Sequence, residues 1–172
     1  KIKNSCWKED ASDYVMLVDT DELIYHEDDI VKYLENTNYP VYRPTGYNMI
    51  SEEFPKNNIS ITDQIQRGVY DKFYCKPVIF NPNLIKKTEF ELGIHNGRFY
   101  DETGNVNPAE SELKMLHYKN LGFKYREDRH KMFAKRMSDF NQRTGAGIHY
   151  TWDTKTQKDE FDDILARSTK II

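Results

Sequence analysis

A mixed α/β domain is predicted by two observations. Short apolar runs of strand length recur along the chain, at residues 14–18, 73–80 and 113–118. Between them lie stretches whose apolar residues repeat at helical spacing, and strands interleaved with helices are the signature of an α/β fold. Hairpin-like returns between runs favour a mixed sheet flanked by helices over a purely parallel one.

The elements follow in order. Residues 3–10 read as the end of a helix that packs Trp7 inward, and residues 14–19 as a buried strand. In residues 27–34, Ile30, Val31 and Leu34 fall at helical spacing and the acids at the start suit the helix dipole; Asn36, Asn38 and Pro40 end the helix. Residues 41–50 alternate as an extended segment through Tyr47, Met49 and Ile50, and 51–61, with Pro55 and Asn57-Asn58, read as a loop. Residues 73–80 form a second strand, ended by Asn81-Pro82-Asn83. A further strand is expected over 90–94, a turn at His95-Asn96-Gly97, and a loop over 101–108. Residues 113–118 are a strand. Residues 125–141 read as a helix with Met132, Phe133, Met137 and Phe140 inward and Arg126, Arg129, His130, Lys131, Lys135 and Arg136 on a solvated basic face. Gly145-Ala146-Gly147 closes it, and an amphipathic stretch over 158–171 places Phe161, Ile164 and Leu165 on one side.

Composition narrows the function. The chain has 172 residues, enough for a single domain over 1–172. A net charge of −3 offers no basic field for nucleic acid. A mean hydropathy of −0.84 beside 12 Tyr and 9 Phe suits a folded domain with a wettable groove. No run is long and apolar enough to span a bilayer, and a cytoplasmic setting is expected. Cys6 and Cys75 lack CxxC spacing, which argues against a zinc or redox motif and for two buried, reduced thiols. The chain opens like the middle of a helix, so a piece of a longer protein is expected.

Asp19-Thr20-Asp21-Glu22 carries the chemistry. Alternate side chains of an extended segment point the same way, so Asp19 and Asp21 can converge on one ion. Ligands bind at the carboxyl ends of strands in open α/β sheets, and hard carboxylate oxygens suit a divalent cation carrying phosphates. Adjacent carboxylates repel one another, and a cation relieves the repulsion. Asp-x-Asp is also a common string in solvated turns, so the motif gains its weight from the strand before it.

The order DxDE, then Lys76-x-Val78-Ile79-Phe80, then Gly93-x-His95, then Leu116-His117-Tyr118, then a basic helix ending in Gly145-x-Gly147-x-x-Tyr150 resembles bacterial GT-A glycosyltransferases of the family 2 type, over nearly the whole chain. The resemblance implies a GT-A-like (Rossmann-like) sheet, of which this chain is the C-terminal portion, because only a short helix precedes the DxD strand and the nucleotide-binding half is missing. It implies transfer of a sugar from a nucleotide-sugar donor to a hydroxyl of a glycan, lipid or polysaccharide acceptor. Mn2+ or Mg2+ would be held by Asp19, Asp21 and His117. Asp19, Lys76, His95 and Lys124 would meet donor or substrate, Lys124 as the lysine near the diphosphate. Peripheral association with the inner face of a membrane would suit a glycolipid acceptor.

A catalytic base remains open among Glu52, Glu53, Glu110 and Glu112, with Glu52 and Glu53 favoured by their place in the loop after an extended segment. Phe54, Tyr70, Phe73, Tyr74, Phe99 and Tyr100 are candidates for sugar-stacking rings or for core. Two other functions share these features. One is a metal-dependent phosphate-handling hydrolase, the other a non-catalytic glycan-binding domain.

Overall fold

The computed structural model describes residues 2–9, 12–91 and 94–172. It is mixed α/β, with strands and helices interleaved along the chain. The residues gather into two compact units: 1–47 with 70–117, and 48–69 with 118–172. Each is assembled from two separated segments, so no linker marks the division in the sequence.

In the first unit, two 3-10 turns (Ile2–Asn4 and Cys6–Glu9) stand where the first helix was expected. Trp7 is buried as expected, its indole N–H donating to Thr88 Oγ1 at 3.2 Å, while Cys6 is exposed and Cys75 half-buried, against the reading of two buried thiols. Strand β1 is only Val15–Met16, not residues 14–19, and it pairs antiparallel with β5 (Ile79–Phe80). It is an edge strand, which leaves Met16 and Val18 exposed while Tyr14, Val15 and Leu17 pack on the core only part-buried; the reading of a buried strand fails here. β5 also pairs with β3 (Val41–Ser51), Val41 lying opposite Phe80. A strand absent from the sequence reading, β2 (Glu22–Tyr25), pairs antiparallel with β9 (Ala109–Leu121), and β9 also neighbours β3.

Between β2 and β3, α1 (Ile30–Thr37) forms where helical spacing placed it. Asp29 caps it by accepting from the Val31 and Lys32 N–H groups, and Asn38 ends it in the left-handed region at φ 45°. Its Leu34 joins Tyr42, Val78, Ile79, Leu113 and Met115 in the larger core cluster. Trp7, Val41, Phe80, Ile85 and Phe99 form the second. A separate antiparallel sheet contains β6 (Lys87–Phe90), β7 (Gly97–Tyr100) and β8 (Asn105–Val106). The strand expected over 90–94 is thus displaced toward the N-terminus. Leu92 and Gly93, and with them part of the Gly-x-His element, lie outside the described residues. The expected strand over 73–80 is broken: Lys72–Tyr74 is a 3-10 turn whose first donors Asp71 caps, and Pro77 carries no N–H for a ladder.

The second unit contains α2 (Ile61–Gln64), β4 (Arg67–Tyr70, through Val69), β10 (Thr169–Lys170) paired with β4, and three further helices. Those helices are α3 (Phe123–Lys135), α4 (Asp139–Thr144) and α5 (Thr154–Arg167). Gly68 faces the end of β3 so closely that a Cβ there would lie 2.8 Å from the Asn48 carbonyl oxygen. The helix expected over 125–141 ends at Lys135, and its faces are mixed: Phe133 is half-buried and Lys131 and Lys135 are exposed as expected. Met132 is exposed, as is Phe140 on α4, whereas Arg126, Glu127 and His130 are buried. Gly145 ends α4 in the left-handed region, and α5 buries Phe161 together with Gln157.

Candidate functional site

The Asp19–Glu22 segment is a turn between β1 and β2. It is closed from both sides: the Glu22 N–H donates to the Asp19 carbonyl at 3.0 Å, and the Asp19 N–H donates to Glu22 Oε2 at 3.0 Å. Glu22 opens β2 with its side chain only 2% exposed. Its other oxygen takes the ammonium of Lys76, itself 2% exposed, and the same ammonium lies 3.7 Å from Asp19 Oδ2. The acidic segment therefore already has a cation of its own. Lys76 relieves the repulsion between Asp19 and Glu22 that the sequence assigned to a bound cation. The Lys76 ammonium also sits 5.1 Å from the centre of the Tyr74 ring.

Asp21 has a different partner. The β2–β9 register sets His117 opposite Glu22, and His117 Nε2 lies 3.4 Å from Asp21 Oδ2. Two ligands at right angles, each about 2.1 Å from one ion, stand about 3 Å apart, so this spacing fits a shared divalent cation. Among the described residues no group of three or more His, Cys, Asp or Glu side chains is gathered around one point. Two protein ligands nevertheless suit a cation that takes its remaining oxygens from phosphates and water. The Tyr74 ring stacks on the His117 imidazole, with centroids 3.9 Å apart and planes inclined by 21°. Sequence reasoning gave Tyr74 no such role; nothing local marks a ring for stacking on a residue 43 positions away.

His95 joins the group through Tyr74 and Phe73, 6.1 Å from each ring. Its Nδ1 donates to the Phe73 carbonyl at 2.9 Å, which fixes the proton on that nitrogen. Asp19, Asp21, Lys76, His95 and His117, five residues singled out from the sequence, are thus linked in the first unit by Tyr74 and Glu22. Glu110 and Glu112 lie in the same unit, near Arg43 (3.5 Å) and His26 (3.7 Å). Glu52, Glu53 and Lys124 belong to the second unit. Both glutamates are exposed at the end of β3, and Lys124 is exposed on α3, where the Asp128 carboxylate at 2.7 Å holds its ammonium above the usual range. Of the aromatic candidates, Phe99 is core, the Tyr100 hydroxyl donates to Glu89, and Phe54 packs on Tyr125 at 4.6 Å; Tyr70 and Phe73 are exposed.

The basic face expected on α3 is in part an interior. Arg126 is 2% exposed, is paired with Glu160, and lies 6.0 Å from the Phe161 ring. His130 is 1% exposed, 5.5 Å from His149, which contacts Lys119 Nζ at 3.4 Å. Burial, with the nearby charges of Arg126 and Lys119, pushes His130 down to about 4. Burial and Lys119 do the same to His149. Nε and Nη1 of Arg126 and Oδ1 of Asn120 have no hydrogen-bond partner among the described residues.

No protein-family model, curated protein or solved structure matches the chain. No helix among the described residues is long and apolar enough to cross a membrane.

Proposed function

We propose that the chain carries the metal and diphosphate site of a glycosyltransferase with a GT-A-like fold, acting on a nucleotide-sugar donor and a hydroxyl acceptor. The observation that carries this reading is the pairing of Asp21 with His117, 3.4 Å apart across the β2–β9 ladder and beside the turn that holds Asp19. An acid from an Asp-x-Asp turn and an imidazole from a late strand are the donor set the resemblance asks for, and they meet in space although 96 positions separate them. Imidazole with carboxylate suits Mn2+ more than Mg2+. Bound by Asp21 and His117, the cation would neutralise charge on the departing diphosphate. Lys76 keeps the Asp19 carboxylate in place and holds the turn to β5 through Glu22. Tyr74 fixes the plane of the imidazole. Asp19 retains an exposed edge, its side chain 54% exposed, from which it reaches a donor hydroxyl or a metal-bound water.

One observation favours the non-catalytic glycan-binding reading. Lys76 already balances Asp19 and Glu22, as it would in a turn kept for structure alone. Manganese binding separates the two readings. In electron paramagnetic resonance the six-line signal of free Mn2+ should fall when wild-type protein is added and persist with Asp21→Ala or His117→Ala. Equal loss of signal with all three proteins, or none with wild type, overturns the metal site.

A further inference from the structure

We infer that Phe73, with His95 beside it, is the platform on which a pyranose ring of a glycan acceptor stacks, which makes the acceptor a sugar rather than a lipid hydroxyl; the inference rests on the glycosyltransferase reading above.

Phe73 is 69% exposed and Tyr70 62%, three positions apart in the first unit. Single exposed apolar residues are ordinary on a surface, but an exposed ring with an imidazole 6.1 Å away, beside a polar cluster, suits a ligand with both an apolar face and hydroxyls. The segment that presents them is held from several directions. Asp71 Oδ1 accepts from the Phe73 N–H at 2.9 Å, and the Asp71 N–H donates to the Gly46 carbonyl at 2.9 Å. His95 Nδ1 donates to the Phe73 carbonyl. The Gly46 N–H donates to Cys75 Sγ at 3.3 Å. A Cβ on Gly46 would stand 2.3 Å from the Tyr74 carbonyl carbon, so the turn lies directly on the β3 backbone with no room for a side chain between.

This clamp turns the two rings of the Phe73-Tyr74 pair to different tasks. Tyr74 is spent on His117, its ring stacked at 3.9 Å. Phe73, the next residue, remains in water, with the His95 edge 6.1 Å from it. The exposed ring is therefore one residue from the side chain that orients the proposed metal ligand. A pyranose has an apolar face of C–H groups and a rim of hydroxyls. The ring of Phe73 covers the first and releases water from it, and the second imidazole nitrogen of His95 accepts from the rim. An acyl chain has no rim to engage His95, and a single open ring offers it little area.

The test is saturation-transfer NMR on the full chain, with cellobiose, lactose and N,N′-diacetylchitobiose as probes. At least one should give transfer to its ring C–H protons. The transfer should fall at least tenfold in Phe73→Ala, persist in Phe73→Trp, and be unchanged in Phe54→Ala, an exposed ring of the other unit. Wild-type transfer in Phe73→Ala, or none from any probe, overturns the platform. Transfer to the acyl chain of an octyl glucoside probe, without transfer to its sugar ring, also overturns it and points to a lipid site. The outcome is separable from the parent reading. Phe73-dependent sugar binding without metal-dependent nucleotide binding would end the transferase reading and leave a glycan-binding surface. Nucleotide binding without any sugar signal would end this inference alone.

Discussion

Each unit buries a basic side chain against a carboxylate, and the two pairs are built differently. In the first unit Lys76 and Glu22 are both 2% exposed, and the pair ties together a turn, a strand start and the approach to β5. In the second, Arg126 is equally buried but Glu160 is 38% exposed, and Nε and Nη1 of the guanidinium have no partner among the described residues. In the first pair both members are buried, with Asp19 as a second, more exposed partner of Lys76. The second is one-sided, and it lies in an interior that also holds two imidazoles kept neutral by burial. A burial level alone does not say what a charged residue contributes; the exposure of its partner decides which member is left stranded when the other is removed.

The largest expected effect breaks that comparison directly. Lys76→Met leaves Glu22 buried without a counter-charge and should cost about 3–5 kcal/mol in urea unfolding. Glu160→Gln should cost less, about 1–2 kcal/mol, because it removes a part-exposed partner. Equal losses would show that the pairs do not differ as described. Next is acid. Both imidazoles titrate at about 4 when folded and near 6.5 when unfolded, so their neutrality stabilises the fold fully above pH 6.5 and the contribution is lost as pH falls toward 4. The loss should reach about 3 kcal/mol for His130 and less for half-buried His149. His130→Gln should flatten the dependence of unfolding free energy on pH between 6.5 and 4; an unchanged slope contradicts the assignment. Asp29→Ala removes the α1 cap and should cost about 1 kcal/mol in the same assay. Lys124→Ala, which breaks exposed contacts with Asp128 and Glu127, should leave the urea midpoint unchanged.

The sequence singled out residues that gather in one place and described the frame around them less well. Asp19, Asp21, Lys76, His95 and His117 were each recognisable by residue type and neighbours, and the fold brings them together. The turn that holds them was hidden, because Glu22 was counted as a third acid when it is the partner of Lys76. Strand β2 was missed because Glu22–Tyr25 shows little alternation and follows directly on the acidic turn. The helix α1 was legible because acids stand at its start, where the Asp29 side chain caps it, and Asn38, a residue that tolerates the left-handed region, ends it. On α3 the helical period was right and the face was right only in part. Met132 and Phe133 suggest an apolar stripe, and Phe133 does pack on Tyr150, but Met132 is exposed and the stem of Arg126 and the ring of His130 fill the interior beside it, against Phe161 and Tyr150. Hydrophobic periodicity cannot distinguish a buried arginine from a solvated one.

The most direct test of the central claim is calorimetric titration of UDP and of GDP into the wild-type chain with Mn2+ present, repeated with a chelator and with Asp21→Ala. The account predicts binding of at least one nucleotide that requires the metal and is lost in the variant. Binding that survives both the chelator and the substitution would contradict it.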